Sequence, residues 1–177
     1  MAAAFYLLLL IGHLGFFDVL YFHIYRCGLH HRPECQREVF WHTLRHAVYG
    51  TQFLAIANLR FHGAALLALG ALYAADIYIA WADVWEETAS RSTLGGLPRG
   101  EYFMHVVLSV LVGCYLATVV HAVLPDARLA SAVILDPPPV PSWLRAYMTL
   151  MGVSAIGLFA FDLRRWLSYR AAASAVS

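Results

Sequence analysis

Two short patterns in this sequence pair a carboxylate with an imidazole four residues later. They are Glu38 with His42 and Glu101 with His105. In an α-helix, residues four apart lie on one face, a turn apart, so each pair presents two metal-ligating groups together. Carboxylate and imidazole ligands suit iron, manganese or zinc. The two pairs therefore predict a shared metal site, with Glu38 and His42 on one ion and Glu101 and His105 on the other.

Other residues of the same types are candidates to complete this site. They are three acids that can bridge two ions and two further histidines: Asp83, Glu86, Glu87, His23 and His46. Helical bundles that bind two metal ions project glutamate and histidine inward from facing helices, where carboxylates bridge iron or manganese. Those bundles space the glutamate and histidine three residues apart, so the match here is partial. The pattern predicts a dinuclear centre of iron or manganese, ahead of zinc.

The type of site indicates the type of chemistry. A dinuclear iron or manganese centre in a hydrophobic protein predicts an oxidoreductase of the oxygenase or desaturase type. Its substrate would be a lipid or another apolar molecule that enters from the bilayer. Arg45 and Arg91 are the candidate contacts for a polar headgroup on that substrate.

Haem b is the main alternative occupant of the membrane histidines. It needs one histidine from each of two facing helices. His42 or His46 with His105 would form one such pair, and His13 with His121 a second. The chain would then be an electron-transfer anchor subunit that meets quinone. A third alternative is a non-catalytic structural subunit of a membrane complex, whose cluster of polar residues binds a partner loop. The acids could also form only ion pairs at the membrane surface, with Arg37, Arg45, Arg91 and Arg99.

A separate zinc site is a further alternative in the segment 27–35. Cys27, His30, His31 and Cys35 are residue types that ligate zinc, although their spacing matches no zinc knuckle. With Cys114, the chain has three cysteines, too few for a disulfide framework.

The composition indicates a membrane protein. Hydrophobic residues make up 61% of the chain and charged residues 13%, whereas soluble domains average about 45–50% and about 25%. The mean hydropathy is +0.63. A net charge of +1 argues against a nucleic-acid partner, which needs a basic face. An integral membrane protein in contact with the lipid bilayer is predicted.

Five segments are long enough for a membrane helix, which needs about 20 largely apolar residues. They are residues 3–25, 38–60, 63–87, 101–124 and 143–166. The predicted fold is all-α, an integral membrane bundle of four core helices with the fifth packed alongside, forming one transmembrane domain over residues 1–177. No basic residue precedes the N-terminal apolar run, so we expect a first membrane helix there and not a removable signal peptide.

Arginines predict the orientation, because cytoplasmic loops are enriched in them. Most lie in the first loop, the third loop and the C-terminal tail: Arg26, Arg32, Arg37, Arg91, Arg99, Arg164, Arg165 and Arg170. The N-terminus is therefore expected outside and the C-terminus in the cytoplasm, in a bacterial inner membrane. The candidate ligands then converge near the cytoplasmic face. A membrane-complex partner or a second copy of the chain are both compatible with this arrangement.

Two acids lie deeper in the predicted helices. Asp18 and Asp76 are expected to bond to the nearby tyrosines Tyr21 and Tyr73 in preference to a role in proton transfer.

Overall fold

A computed structural model describes residues 1–136 and 138–174 and shows an all-α protein. Its five long helices are α1 (Ala2–Asp18), α2 (Gln36–Asn58), α3 (Leu66–Ser90), α4 (Arg99–Val123) and α5 (Ser142–Ser174). A π-helix over Val19–Arg26 continues α1. The all-α prediction is confirmed. Residues 137 and 175–177 of the predicted domain lie outside the described residues.

Four of the helices are long and apolar enough to cross a membrane. Their spans are Ala2–Arg26, Gly63–Ser90, Arg99–Arg128 and Ser142–Ala172. The predicted second span corresponds to α2. This helix is similar in length to α3 and α4, but it carries Arg37, Glu38 and Arg45 besides its histidines. Membrane association therefore rests on the four apolar helices, whereas a fifth crossing and the orientation of the bundle stay predictions.

The helices alternate in direction, which brings their connections to two ends of the bundle. At one end, the last turns of α1 and α3 meet the first turns of α2 and α4; we call this the polar end. At the other end, a short antiparallel sheet joins β1 (Arg60–His62) to β2 (Ala132–Ile134); we call this the sheet end. Strands of three residues leave no periodic pattern in the sequence, and the prediction lacked them.

Helix α2 is central and packs along both α3 and α5, while α1 packs along α4. Gly50 of α2 and Gly152 of α5 allow two backbones to touch. A Cβ added to either glycine would lie 3.0 Å from the carbonyl oxygen of the other. Small residues at a helix crossing permit this approach in membrane proteins. Helix α5 is thus held directly against the polar helix α2.

An apolar core contributed by all five helices occupies the bundle away from the polar end. Its buried residues include Phe5, Leu8, Ile11, Phe53, Ile56, Leu69, Leu108, Leu144 and Met148. Buried hydrogen bonds also link the helices: Gln52 donates to Asp76 at 3.0 Å, and the hydroxyls of Tyr73 and Tyr115 are 2.9 Å apart. The sequence had suggested a bond between Asp76 and Tyr73. Asp76 instead accepts a hydrogen bond from the side-chain amide of Gln52 on α2.

Candidate metal centre

Side chains from α1, its π-helical extension, α2, α3 and α4 meet at the polar end and form what we call the polar cluster. Its members are Asp18, His23, Glu38, His42, Asp83, Glu87, Glu101 and His105. The five acids expose at most 7% of their side chains, and His23 exposes 2%. His42 and His105, at 13% and 18%, form the more accessible edge.

The π-helix explains how Asp18 and His23 come to share a face. Residues five apart are about 140° apart around an α-helix. A π-helix instead closes its turns between residues five apart. The wider turns over Val19–Arg26 bring His23 Nε2 to 3.5 Å from Asp18 Oδ2. The backbone of this segment therefore adds a carboxylate to the polar cluster that an ordinary helix would direct elsewhere.

Asp18, His23 and His105 form a first group that can hold a metal ion. Asp18 Oδ2 lies 3.5 Å from His23 Nε2 and 3.3 Å from His105 Nε2. Ligands about 2.1 Å from a shared ion are about 3.0 Å apart in octahedral geometry and about 3.4 Å apart in tetrahedral geometry. The two separations are close to these values, and Asp18 Oδ2 and His105 Nε2 are also within hydrogen-bond distance of each other. The spacing is therefore compatible with a shared ion.

His23, Glu38 and His42 form a second such group. His42 Nε2 lies 3.8 Å from Glu38 Oε1 and 3.3 Å from Asp83 Oδ1. The rings of His23 and His42 meet edge to face, with centroids 4.2 Å apart. The two groups share His23 and are therefore parts of one continuous site.

Many atoms of the polar cluster are buried without a hydrogen-bond partner among the described residues. They are Asp18 Oδ1, His23 Nε2, Glu38 Oε1, His42 Nε2, Asp83 Oδ1, Glu87 Oε1 and Glu101 Oε2. His23 Nε2 approaches Glu101 Oε1 to 2.9 Å but is not aligned for a hydrogen bond. A buried polar atom left unsatisfied costs about 1–3 kcal/mol. A metal ion would satisfy several of these atoms together.

Arg91 lies between two of the carboxylates. Its guanidinium donates to Glu38 Oε2 at 2.6 Å and to Glu101 Oε1 at 2.5 Å, and the Ser90 hydroxyl also donates to Glu38 Oε2. Burial acts to lower the pKa of Arg91, but the two carboxylates outweigh it and raise that pKa. Arg91 is fully buried and paired with two carboxylates, which does not favour the predicted contact with a substrate headgroup. It fixes the orientation of Glu38 and Glu101 and leaves one oxygen of each without a hydrogen-bond partner among the described residues.

The charges of the polar cluster do not balance. Five carboxylates face two guanidiniums, Arg91 and Arg45, the latter 3.5 Å from Asp83 Oδ2 and stacked over Tyr49. With all five carboxylates ionised and the imidazoles neutral, the formal excess is three negative charges. It is two when His105, which has a carboxylate at each ring nitrogen, is protonated. Uncompensated buried charge costs several kcal/mol per ion. A divalent cation would remove most of that cost. Arg45, the other predicted headgroup contact, is thus engaged with Asp83.

The structure changes how the predicted ligands are grouped. The sequence assigned Glu101 and His105 to one ion, but Glu101 faces Arg91 and His23, whereas His105 lies between Asp18 and Glu87. Glu38 and His42 do fall in one group. Asp18 was missed, because its five-residue spacing to His23 is significant only on a π-helix.

Two predicted ligands lie outside the polar cluster. His46 is eight residues after Glu38, which rotates it about 80° around α2, and its Nδ1 lies 3.3 Å from Asp162 of α5. Glu86 adjoins Glu87, and a rotation of about 100° per residue turns it outward to pair with Arg37 at 2.8 Å. Neither side chain belongs to the groups that can hold a metal ion.

The alternative zinc site at residues 27–35 is not among the groups that can hold a metal ion. Cys27 and Cys35 are buried against Leu29 and Val39, and Cys35 Sγ donates to the Ser90 carbonyl at 3.3 Å. Burial raises the pKa of the Cys35 thiol to about 11 and also raises that of Cys27. Both cysteines lie in the packing of the polar end, and zinc binding by this segment stays a prediction.

The geometry of the histidines does not favour haem. Both nitrogens of His13 have partners: Nδ1 lies 2.7 Å from the Leu9 carbonyl and Nε2 lies 2.8 Å from the Tyr147 hydroxyl. His46 points to α5, and His105 has a carboxylate at each ring nitrogen. His13 and His46 therefore have other partners, whereas haem on His42 and His105 stays an alternative prediction.

No protein-family model, curated protein or solved structure matches this chain. Its function is therefore inferred from the geometry and chemistry of the polar cluster.

Proposed function

We propose that this protein is an integral membrane metalloprotein whose polar cluster binds one or two ions of iron or manganese. The carrying observation is that ligand-type atoms on five helical elements converge within the bundle, and that several of them have no hydrogen-bond partner among the described residues. Ionisable groups inside membrane proteins are costly and usually mark functional sites. The spacing of Asp18, His23 and His105 and the excess of negative charge both support a bound cation.

The two groups of ligands bear on the number of ions. His23 belongs to both groups, and a single ring nitrogen can coordinate one ion. A first ion would take Asp18, His23 and His105. A second would take Glu38 and His42, with Asp83 as a third ligand because its Oδ1 lies 3.3 Å from His42 Nε2. Two ions therefore need no ligand from outside the polar cluster.

The types of donor atom indicate which metal binds and which chemistry it supplies. Oxygen and imidazole ligands without thiolate suit iron or manganese, with zinc as the next choice. Such ions, when bound, supply oxidative chemistry, and we propose an oxidoreductase that acts on a lipid or another apolar molecule. The accessible edge at His42 and His105 is enclosed by helices whose outer faces are apolar. A substrate arriving from the bilayer would reach the site at that edge.

A second candidate is a non-catalytic membrane subunit whose polar cluster is held together by ion pairs. The two short contacts of Arg91 favour it. Arg91 accounts for one oxygen each of Glu38 and Glu101, and histidines lie near Glu38 Oε1, Asp83 Oδ1 and Glu87 Oε1. Among the described residues, Asp18 Oδ1 and Glu101 Oε2 have neither a hydrogen-bond partner nor an ion-pair contact, and pairing with Arg45 and Arg91 leaves negative charge over.

A double variant separates the two candidates. His42→Ala with His105→Ala removes one imidazole from each group, and His46→Ala with His121→Ala is the matched control outside the polar cluster. All three proteins are expressed with added iron and manganese and purified in detergent. Metal content is then measured on fractions with an unchanged helical circular dichroism spectrum.

We expect the wild type and the control to retain metal, and the cluster variant to lose nearly all of it. Equal metal content in all three proteins, or none in any, would leave the ion-pair subunit as the better account.

A further inference from the structure

A second polar feature lies on a different face of α2, where the segment before it meets the C-terminal half of α5. It is a cavity of about 280 Å³. Its lining combines charged, imidazole and aromatic side chains: His30, His31, Gln36, Asp162, Arg165 and Trp166, with Val39 and Tyr169. We call it the α5 pocket. Neither metal-holding group contributes a residue to it.

Two opposite charges are held apart in the α5 pocket. Asp162 and Arg165 are three residues apart, which places them on one face of α5. Within the described part of the chain, no ion pair joins them. Asp162 instead faces His46 at 3.3 Å and His30 at 3.9 Å, while Arg165 is exposed. The pocket thus offers a nearly buried carboxylate and a separate guanidinium to one ligand.

Two imidazoles face Asp162, His46 at 3.3 Å and His30 at 3.9 Å. Burial lowers the pKa of His30, although Asp162 acts in the opposite direction. Burial therefore favours the neutral form of His30.

The position of the pocket along α5 corresponds to the depth of lipid headgroups. With 33 residues, α5 is about 50 Å long, longer than the hydrocarbon core of about 30 Å. Its C-terminal turns therefore reach the membrane surface. Trp166 and Tyr169 line the pocket, and tryptophan and tyrosine are enriched at headgroup level. The exposed side chains of Leu158 and Phe161 continue the same helix as an apolar surface.

We propose that the α5 pocket binds the headgroup of a zwitterionic aminophospholipid, with the phosphate on Arg165 and the primary ammonium on Asp162. A glycerol headgroup would bring no cation to Asp162, and a quaternary ammonium would bring no N–H donor. The volume is slightly below that of sites for drug-sized ligands, about 300–1,000 Å³, so the pocket takes the headgroup. The acyl chains would lie along the apolar side of α5. This inference does not depend on the metal centre.

The experiment compares three lipids that differ only in headgroup. Delipidated protein in detergent receives phosphatidylethanolamine, phosphatidylcholine or phosphatidylglycerol with identical acyl chains, and the shift in Tm is followed with lipid concentration. Arg165→Gln is compared with Arg164→Gln, an adjacent exposed arginine outside the pocket. We expect phosphatidylethanolamine to bind best. Arg165→Gln should weaken its binding about fivefold, the effect of one arginine at a membrane surface, and Arg164→Gln should not.

A second variant tests the ammonium contact. Asp162→Asn should remove the preference for phosphatidylethanolamine over phosphatidylglycerol. Equal responses to the three lipids, or equal losses in the two arginine variants, would show non-specific lipid contact and overturn the proposal. Soluble phosphoethanolamine serves as the last probe. If it stabilises the protein at the same concentration as the lipid, the ligand is a soluble aminoalkyl phosphate and the lipid assignment is wrong.

Discussion

Both ends of the bundle carry acids, but the acids at the two ends differ in their burial and in their ion pairs. At the sheet end, Asp136 pairs with Arg60 at 2.9 Å, and Asp126 lies 3.9 Å from His62. These are single pairs, and the first is exposed on both sides, at 41% and 52%. At the polar end, five buried carboxylates share two guanidiniums and surround three imidazoles.

This difference shows what distinguishes a candidate site from surface polarity. An exposed ion pair contributes about 0–1 kcal/mol and needs no function to explain it. A buried excess of negative charge is costly unless something offsets it. The imbalance of charge at the polar end, more than the number of polar residues, is therefore the evidence for a bound cation.

The largest expected effect concerns Asp18, which the structure adds to the predicted ligands. Asp18→Asn keeps the size of the side chain but removes its charge and weakens its donor oxygen. We expect metal affinity to fall by at least about 100-fold, more than the 10–100-fold typical of residues that support a ligand. Metal retained after dialysis against graded chelator concentrations measures this change.

Glu86→Gln is the matched control, because Glu86 is an acid of α3 that pairs with Arg37 outside the polar cluster. It should bind metal like the wild type. If it lost as much metal as Asp18→Asn, the ligand set drawn from the structure would be wrong.

The second prediction compares the loss of stability when one arginine is replaced at each end of the bundle. Arg91→Gln leaves two buried carboxylates without their shared cation, and breaking a buried pair costs about 3–5 kcal/mol. Arg60→Gln breaks an exposed pair at the sheet end and should cost about 0–1 kcal/mol. Unfolding of the metal-free proteins by SDS in mixed micelles measures both. Equal destabilisation by the two variants would remove the distinction between the ends.

The smallest effect tests whether the cysteines of the polar end belong to its packing. Burial raises the pKa of Cys35 from 9.0 to about 11. Between those values the unfolded thiol ionises while the folded thiol stays protonated, so the folded state holds more protons. Stability should therefore fall as pH rises from 9 to 11. Cys35→Ala should show a smaller fall in the unfolding midpoint over this range, whereas identical pH profiles would place a thiolate in the folded protein.

The sequence was informative about the helices. The predicted segment 101–124 corresponds to α4 at Arg99–Val123, and the segment 63–87 to α3 at Leu66–Ser90. Long apolar runs predict such helices because a backbone in lipid must satisfy its own hydrogen bonds. Glu38 and His42 were found because spacing of four residues is directly visible on an α-helix.

The remainder of the site depends on features that no local pattern contains. Asp18 faces His23 only because the helix widens there. Arg91 follows α3 in a loop, where the sequence suggests a solvent-exposed charge, and only the approach of α2 and α4 places it between Glu38 and Glu101. Asp162 lies on α5, which like α3 has no histidine, yet it contacts two histidines from elsewhere in the chain.

Elemental analysis of the purified wild-type protein tests the central claim most directly. Protein expressed with added iron and manganese is passed through gel filtration in detergent with a weak chelator, and its metal content is counted per chain. The account predicts one or two ions of iron or manganese per chain. A folded, helical protein that emerges without metal would contradict it and assign the polar cluster to ion pairing.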